Sequence, residues 1–198
     1  SAIFTSPDTT KNTLAMPALR GNFEATDALS FQSSGYFRNN TRNTINGDDT
    51  GNGACLGDPA ELCSDPGADE EELEDIYGNP ISSAVGGEGA LNRQRIITNG
   101  AGGSLQVTLD DQLFEMRNSL IVGGAIDAGW TEFRSNAELG ALNSDRSVSG
   151  IGIFLGTEDF ITRLDARNIY YGLYVSDTLA LTDRLNVTAA MRFNLANL

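Results

Sequence analysis

At 198 residues the chain has room for one ordinary domain, and its 22 Gly, its lack of His and its single lysine (Lys11) argue against a helical enzyme core. The formal charge of −14 disfavours nucleic acid as a partner, because phosphate contacts need clustered Lys and Arg. No run of about 18 apolar residues exists, so no transmembrane helix is encoded. Residues 1–7 lack the basic and apolar regions of a signal peptide, so an exported protein would carry its signal upstream of this chain.

Period-two alternation, which puts successive side chains on opposite faces of a strand, organises the chain and recurs six times. Over residues 17–25 the odd positions Pro17, Leu19, Gly21, Phe23 and Ala25 oppose Ala18, Arg20, Asn22 and Glu24. A short turn at 26–28 leads to a second strand over 29–38, with Leu29, Phe31 and Phe37 opposite Gln32, Ser34, Tyr36 and Arg38.

A long connection follows at about 40–94. Residues 47–92 hold 12 of the 27 acidic residues and none of the 13 basic ones, so this one segment makes the protein acidic. Its carboxylates match no twelve-residue calcium loop and read as a solvated surface, so no metal is expected. Gly, Asp, Pro and Asn dominate here, which predicts irregular backbone. Cys55 and Cys63 flank a Pro-containing stretch: a disulfide implies an oxidising compartment, and two free thiols in a cytosolic loop are the alternative.

The third strand spans about 95–109, where Leu105, Val107 and Leu109 oppose Ser104, Gln106 and Thr108, and Gly100, Gly102 and Gly103 suggest close packing. Residues 110–112 are predicted to turn the chain into a fourth strand, whose even positions Phe114, Met116, Leu120, Val122, Ile126 and Trp130 are apolar. A second long connection covers 134–168. The fifth strand runs over 169–181 and the sixth over 185–195, with a short turn at 182–184.

Short and long connections thus alternate, as in outer-membrane barrels with their short periplasmic turns and long extracellular loops. A soluble sandwich or barrel also shows alternation, so the period alone does not decide. Aromatic placement favours the membrane. Phe23, Phe31 and Phe114 lie near the short turns, and Phe37, Tyr171 and Phe193 near the long-loop ends. Phe31 to Phe37 spans roughly 20 Å at about 3.3 Å per residue, close to an apolar membrane band. Trp130, sixteen residues beyond Phe114, fits this scheme less well.

The stretch over 169–188 contains Gly172-Leu173-Tyr174-Val175-Ser176-Asp177 and then Leu181-Thr182-Asp183-Arg184-Leu185, with Arg192-Phe193 closing the next strand. It resembles the G-L-Y-x-x-D strand and L-T-D-x-L periplasmic turn of TonB-dependent outer-membrane receptors, and residues 12–37 and 139–152 resemble that family too. The resemblance implies an all-β fold, an antiparallel meander of about six strands that is part of a 22-strand transmembrane β-barrel, in the bacterial outer membrane. It implies active import of a scarce ligand, most often a ferric siderophore or other iron chelate, with vitamins and saccharides as further classes. The implied partners are outer-membrane lipid, the small-molecule ligand, and the TonB complex through a plug that lies outside this chain. No cofactor is implied. Two other readings stay open: a passive porin-like channel, and a soluble secreted β-domain that binds a partner through its acidic loop.

Arg93, Arg95, Arg134, Arg146, Arg163 and Arg167 lie in or near the long loops and are candidates for first capture of ligand. Tyr36, Tyr170 and Tyr174, on the polar alternation, are candidates for stacking on an aromatic chelator, the alternative being that inward tyrosines simply fill the barrel. Arg20, Arg38, Arg117 and Arg192 would face the lumen, either attracting an anionic ligand or pairing with Glu24, Glu115 and plug residues, and pairing is the favoured expectation. Catalysis has little to stand on. The chain has no His for general-base work and no G-x-S-x-G serine, and Gly100-Ala101-Gly102-Gly103 lacks the lysine of a phosphate loop.

Overall fold

The computed structural model describes residues 5–67, 70–156 and 161–198. Among them there is no α-helix. The strands are β1 (Asp8–Ala15), β2 (Ala18–Glu24), β3 (Leu29–Asp49), β4 (Gly53–Ala54), β5 (Leu62–Ser64), β6 (Glu71–Glu72), β7 (Gly89–Leu113), β8 (Met116–Leu142), β9 (Val148–Phe154), β10 (Thr162–Thr182) and β11 (Leu185–Asn197), with one 3-10 turn at Ser83–Val85. The large sheet has the order β1-β3-β7-β8-β10-β11, with β2 also on β3 and β9 also on β8. It is an antiparallel sheet and it is not closed.

β1 and β2 share β3 as partner and are one strand interrupted at Met16-Pro17. Proline has no N–H to give the ladder, and only the Pro17 carbonyl is used, accepting from Phe37 N at 3.1 Å. Counted this way, six strands follow one another in chain order, as the alternation predicts. They are longer than predicted, 21, 25, 27 and 21 residues for β3, β7, β8 and β10.

The chain divides into two compact units. Unit 2 comprises Leu14–Asn39, Thr98–Thr131 and Ala166–Leu198. Across β10 and β11, Leu173 stands opposite Phe193, Val175 opposite Met191 and Leu179 opposite Val187. Phe23 stands opposite Phe31, their ring centroids 6.3 Å apart. These side chains are bare: Leu173 is 62% exposed, Met191 71% and Phe23 65%.

The other face of unit 2 is a hydrogen-bonded polar layer. Ser34 and Ser104 hydroxyls lie 2.8 Å apart, Thr178 and Thr188 hydroxyls 3.0 Å apart, and Tyr36 donates to Asp127. No apolar side chain of this unit is buried among the described residues; the buried positions are Gly100, Gly123 and Gly129. Each glycine makes room for a side chain of a neighbouring strand: Arg38 over Gly100, Tyr174 over Gly123 and Asn168 over Gly129. One polar pair interrupts the apolar alternation, Asn118 Nδ2 donating to Asp177 Oδ1 at 2.6 Å.

The turn into β8 differs from the prediction. β7 continues through Asp110 and Asp111 because Asp110 N donates to Ala28 O at 2.7 Å, and the reversal falls on Phe114 and Glu115. Both have positive φ, 53° and 63°, the backbone a two-residue hairpin turn demands. Phe114 is therefore a turn residue, 81% exposed, and not the first apolar residue of a strand.

Unit 1 comprises Ser1–Thr13, Asn40–Ile97 and Glu132–Asp165. The expectation of irregular backbone over 47–92 is corrected here. β4, β5 and β6 form a small antiparallel sheet, and Leu62, Leu73 and Ile81 pack with Ala137, Leu139 and Leu155 into a buried core. The backbone ties the three loop residues together: Leu62 N donates to Ile81 O at 2.7 Å, Ile81 N to Leu73 O at 3.0 Å, and Leu73 N to Leu62 O at 2.9 Å. Three well-spaced apolar residues suffice to fold an acidic segment once a sheet offers them an apolar patch. The Cys55–Cys63 disulfide is present, with Cα atoms 5.1 Å apart and both residues buried.

Much of the second predicted loop, 134–168, is also strand. β8 runs on to Leu142 and pairs with β9 across a tight turn in which Asp145 Oδ1 accepts from Ser147 N at 3.0 Å. Asp69 and residues 157–160 lie outside the described residues.

Candidate functional site

Unit 1 contains a concavity of about 720 Å³ that brings four of the predicted capture residues together: Arg93, Arg95, Arg134 and Arg163. Its apolar wall consists of Ile45, Ile76, Phe154 and Ile161, and among the described residues no acidic one lines it. Three neighbouring strands of the antiparallel sheet contribute to it, β3 (Asn43, Thr44, Ile45), β7 (Arg93, Gln94, Arg95) and β8 (Arg134, Ser135, Asn136), with Ile76, Phe154, Ile161 and Arg163 completing the lining.

Two of the arginines are held in place. Arg93 pairs with the buried Glu138, whose other oxygen accepts from Gly152 N at 2.9 Å. Arg134 grips Asp165 through one nitrogen at 2.8 and 3.1 Å and donates to Leu164 O at 3.2 Å. Arg95 and Arg163 are exposed and have no carboxylate partner among the described residues. Guanidinium groups fixed in one wall and open in another, beside an apolar surface, suit an anion with an apolar body, because each planar fork can give an oxyanion two parallel hydrogen bonds.

The remaining predicted capture residues are elsewhere. Arg146 sits in the β8–β9 turn with φ 67°, its carbonyl accepting from Ser6 N at 3.0 Å. Arg167 lies over the Trp130 ring, 5.8 Å from its centroid, in unit 2. Tyr174 donates to Gln106 Oε1 at 2.7 Å on the polar face of unit 2, and Tyr170, opposite Ala196, is 44% exposed.

Arg20, opposite Ser34, and Arg192, opposite Tyr174, share that polar face. The favoured pairing with Glu24 and Glu115 is not observed: among the described residues Arg20, Arg38, Arg117 and Arg192 form no ion pair. Glu24 and Glu115 sit at the short-turn end, too far along their strands to meet Arg38 or Arg192. Arg192 Nε instead donates to Asn194 Oδ1 at 2.9 Å, and the buried Arg38 Nε has no hydrogen-bond partner.

The acidic segment spends its carboxylates on its own turns. Glu70 accepts from Leu56 N at 2.7 Å and Gly57 N at 3.1 Å, and Asp58 from Ala60 N at 3.0 Å. The Asn79 backbone and side-chain N–H groups, with the Tyr77 N–H, hold the Asp75 carboxyl below its ordinary range. Partial burial, then the charges of Glu72 and Asp58, push Glu61 up. No group of three or more metal-ligating side chains gathers among the described residues.

Sequence reasoning did not name Glu138 and Asp165, which position two of the arginines, nor the apolar wall. Parity along β8 puts Glu138 two residues from Asn136 on the same side as Arg134, a signal available in principle, but β7 supplies Arg93 only through tertiary register. No protein-family model matches the sequence, and no curated protein matches it.

Proposed function

We propose that this chain is part of the wall of a 22-strand outer-membrane barrel of the TonB-dependent receptor type, importing a scarce ligand, most simply an anionic iron chelate. One observation carries this reading: unit 2 buries no apolar side chain among the described residues, presents one bare apolar face, and hydrogen-bonds its other face into a polar layer. In water such a face would be a large apolar patch without cover. In a bilayer it meets lipid, and the polar layer lines a lumen. The strands exceed the roughly 9–11 residues that cross a bilayer, and Trp130 with Arg167 beside it suits an interface.

An imported anion would then pass Arg20, Arg38, Arg117 and Arg192 on the polar face, guanidinium groups without carboxylate partners among the described residues.

Depth-dependent quenching tests the reading. Single cysteines carrying a fluorophore at Leu173, Met191 and Phe193 should be quenched by brominated lipid, and those at Ser176 and Ala190, on the opposite face, by an aqueous quencher. Failure of the protein to enter bilayers, or aqueous quenching on both faces, would favour the soluble domain. Uptake of a ferric chelate that stops when the proton gradient is collapsed separates the receptor from a passive channel.

A further inference from the structure

The apolar face of unit 2 is broken by one polar pair. Asp177 stands opposite Ala189, between Val175 opposite Met191 and Leu179 opposite Val187, on the face where Met191 is 71% exposed. Asn118 of β8 meets it there, its Nδ2 donating to Asp177 Oδ1 at 2.6 Å and to the Thr178 carbonyl at 3.3 Å. These two bonds use both amide hydrogens of Asn118. Asp177 Oδ2 and Asn118 Oδ1 are left without a hydrogen-bond donor among the described residues. Two unsatisfied acceptors are costly on a face that meets lipid, because no water is there to replace the missing donor. A cation carrying several N–H groups satisfies both at once.

An apolar groove continues from this pair. Leu120, Val122, Gly124 and Ile126 follow Asn118 at alternate positions on the same side of β8. The groove has a volume of about 520 Å³, and Gly103, Leu105, Val122, Gly124, Ile126 and Leu173 line it. A Cβ at position 124 would press on Leu173 Cδ2 at 3.1 Å, so glycine there leaves the space open. Asn118 to Gly124 is six residues, about 20 Å at about 3.3 Å each, comparable to one leaflet of a bilayer about 40–45 Å thick with its headgroups. Asn118 is three residues past the Phe114-Glu115 turn, which sets the polar pair at the short-turn end and the groove nearer the middle of the strands.

We propose that the pair and the groove together seat one phospholipid with a primary-ammonium headgroup, phosphatidylethanolamine being the simplest. The ammonium group donates to Asp177 and Asn118, and an acyl chain lies along Val122 and Gly124 beside Leu173. The site rests on the reading of unit 2 as a barrel wall with this face toward lipid. Charge and length select the occupant: the polar end is anionic and accepts hydrogen bonds, and the apolar groove lies where a chain attached to that headgroup would run.

The test uses the full-length protein in nanodiscs of phosphatidylethanolamine and phosphatidylcholine with identical acyl chains, extracted in mild detergent and assayed for each lipid bound per protein. The choline nitrogen has no N–H, so wild type is expected to retain about tenfold more phosphatidylethanolamine than phosphatidylcholine. Asp177→Leu/Asn118→Leu restores an unbroken apolar face, should fold, and should retain the two lipids equally. Equal retention by wild type, or an undiminished preference in the double variant, overturns the proposal. So does a folded Gly124→Leu variant that binds as much phosphatidylethanolamine as wild type, since the filled groove should exclude the chain. A wild type that shows no lipid preference but forms a dimer lost in the double variant would assign the face to a second copy and overturn it as well. Insertion into plain phosphatidylcholine is scored separately: no insertion defeats the barrel reading, whereas insertion without the headgroup preference defeats this proposal alone.

Discussion

The Tyr174 hydroxyl donates to Gln106 Oε1 at 2.7 Å, a bond that joins β10 to β7 across the intervening β8. The ring can lie over β8 only because position 123 is glycine; a Cβ there would collide with the ring. Tyr36 repeats the device, reaching from β3 over Gly102 of β7 to Asp127 of β8.

Gly123→Ala is therefore expected to displace Tyr174 and destabilise unit 2 by about 1–3 kcal/mol, the usual range for overpacking. Tyr174→Phe, which keeps the ring and loses only the hydrogen bond, should lose about 1 kcal/mol. Urea titration of the bilayer-folded protein measures both, and equal stability of Gly123→Ala and wild type would refute the steric account.

Leu139 is fully buried in the core of unit 1. Leu139→Ala should destabilise the folded acidic segment by about 2–5 kcal/mol through lost contacts and a cavity. Amide exchange at Leu62, Leu73 and Ile81, whose N–H groups bond within that segment, should rise by orders of magnitude while Tyr171 and Leu173 in β10 stay protected.

The Cys55–Cys63 bridge closes a loop with a sequence separation of 8. Its chain-entropy contribution is about 2.5 kcal/mol. Cys55→Ala/Cys63→Ala is expected to render residues 56–62 sensitive to limited proteolysis under conditions where the bridged protein resists. Unchanged digestion would mean that the Leu62 core alone holds the segment.

Asp75 accepts from Tyr77 N at 2.8 Å and Asn79 N at 3.0 Å. Its lowered pKa means that the ionised carboxylate stabilises the folded turn. That contribution is fully present above the ordinary aspartate value of 3.8 and is lost as pH falls through the lower folded value. Exchange at the Tyr77 and Asn79 amides should stay slow down to about pH 4 and accelerate only below it. Asp75→Asn should remove this acid dependence; if it persists, another carboxylate is responsible. Asp145, lowered by the Ser147 hydroxyl and then its N–H, should act likewise on the β8–β9 turn.

Period-two alternation is a local property, and residues such as Leu185, Val187, Met191 and Phe193 state it without reference to any neighbour, so the strands and their two faces were legible in the sequence. The short turns at 26–28 and 182–184 and the cysteine pair were legible for the same reason, since each is closed by residues a few positions apart. Tertiary structure decided the rest. Whether Leu62, Leu73 and Ile81 are solvated or buried depends on Ala137, Leu139 and Leu155, more than fifty residues further on, which become a common apolar patch only once β8 and β9 are paired. The turn into β8 moved to Phe114-Glu115 because the β2–β3 turn supplied a carbonyl for Asp110. Likewise six loop arginines look alike in one dimension, and it is strand register that sets Arg93, Arg95, Arg134 and Arg163 around one concavity and leaves Arg146 in a turn and Arg167 on Trp130. Register is a sum over many weak pairings between distant segments, so no short stretch of sequence contains it.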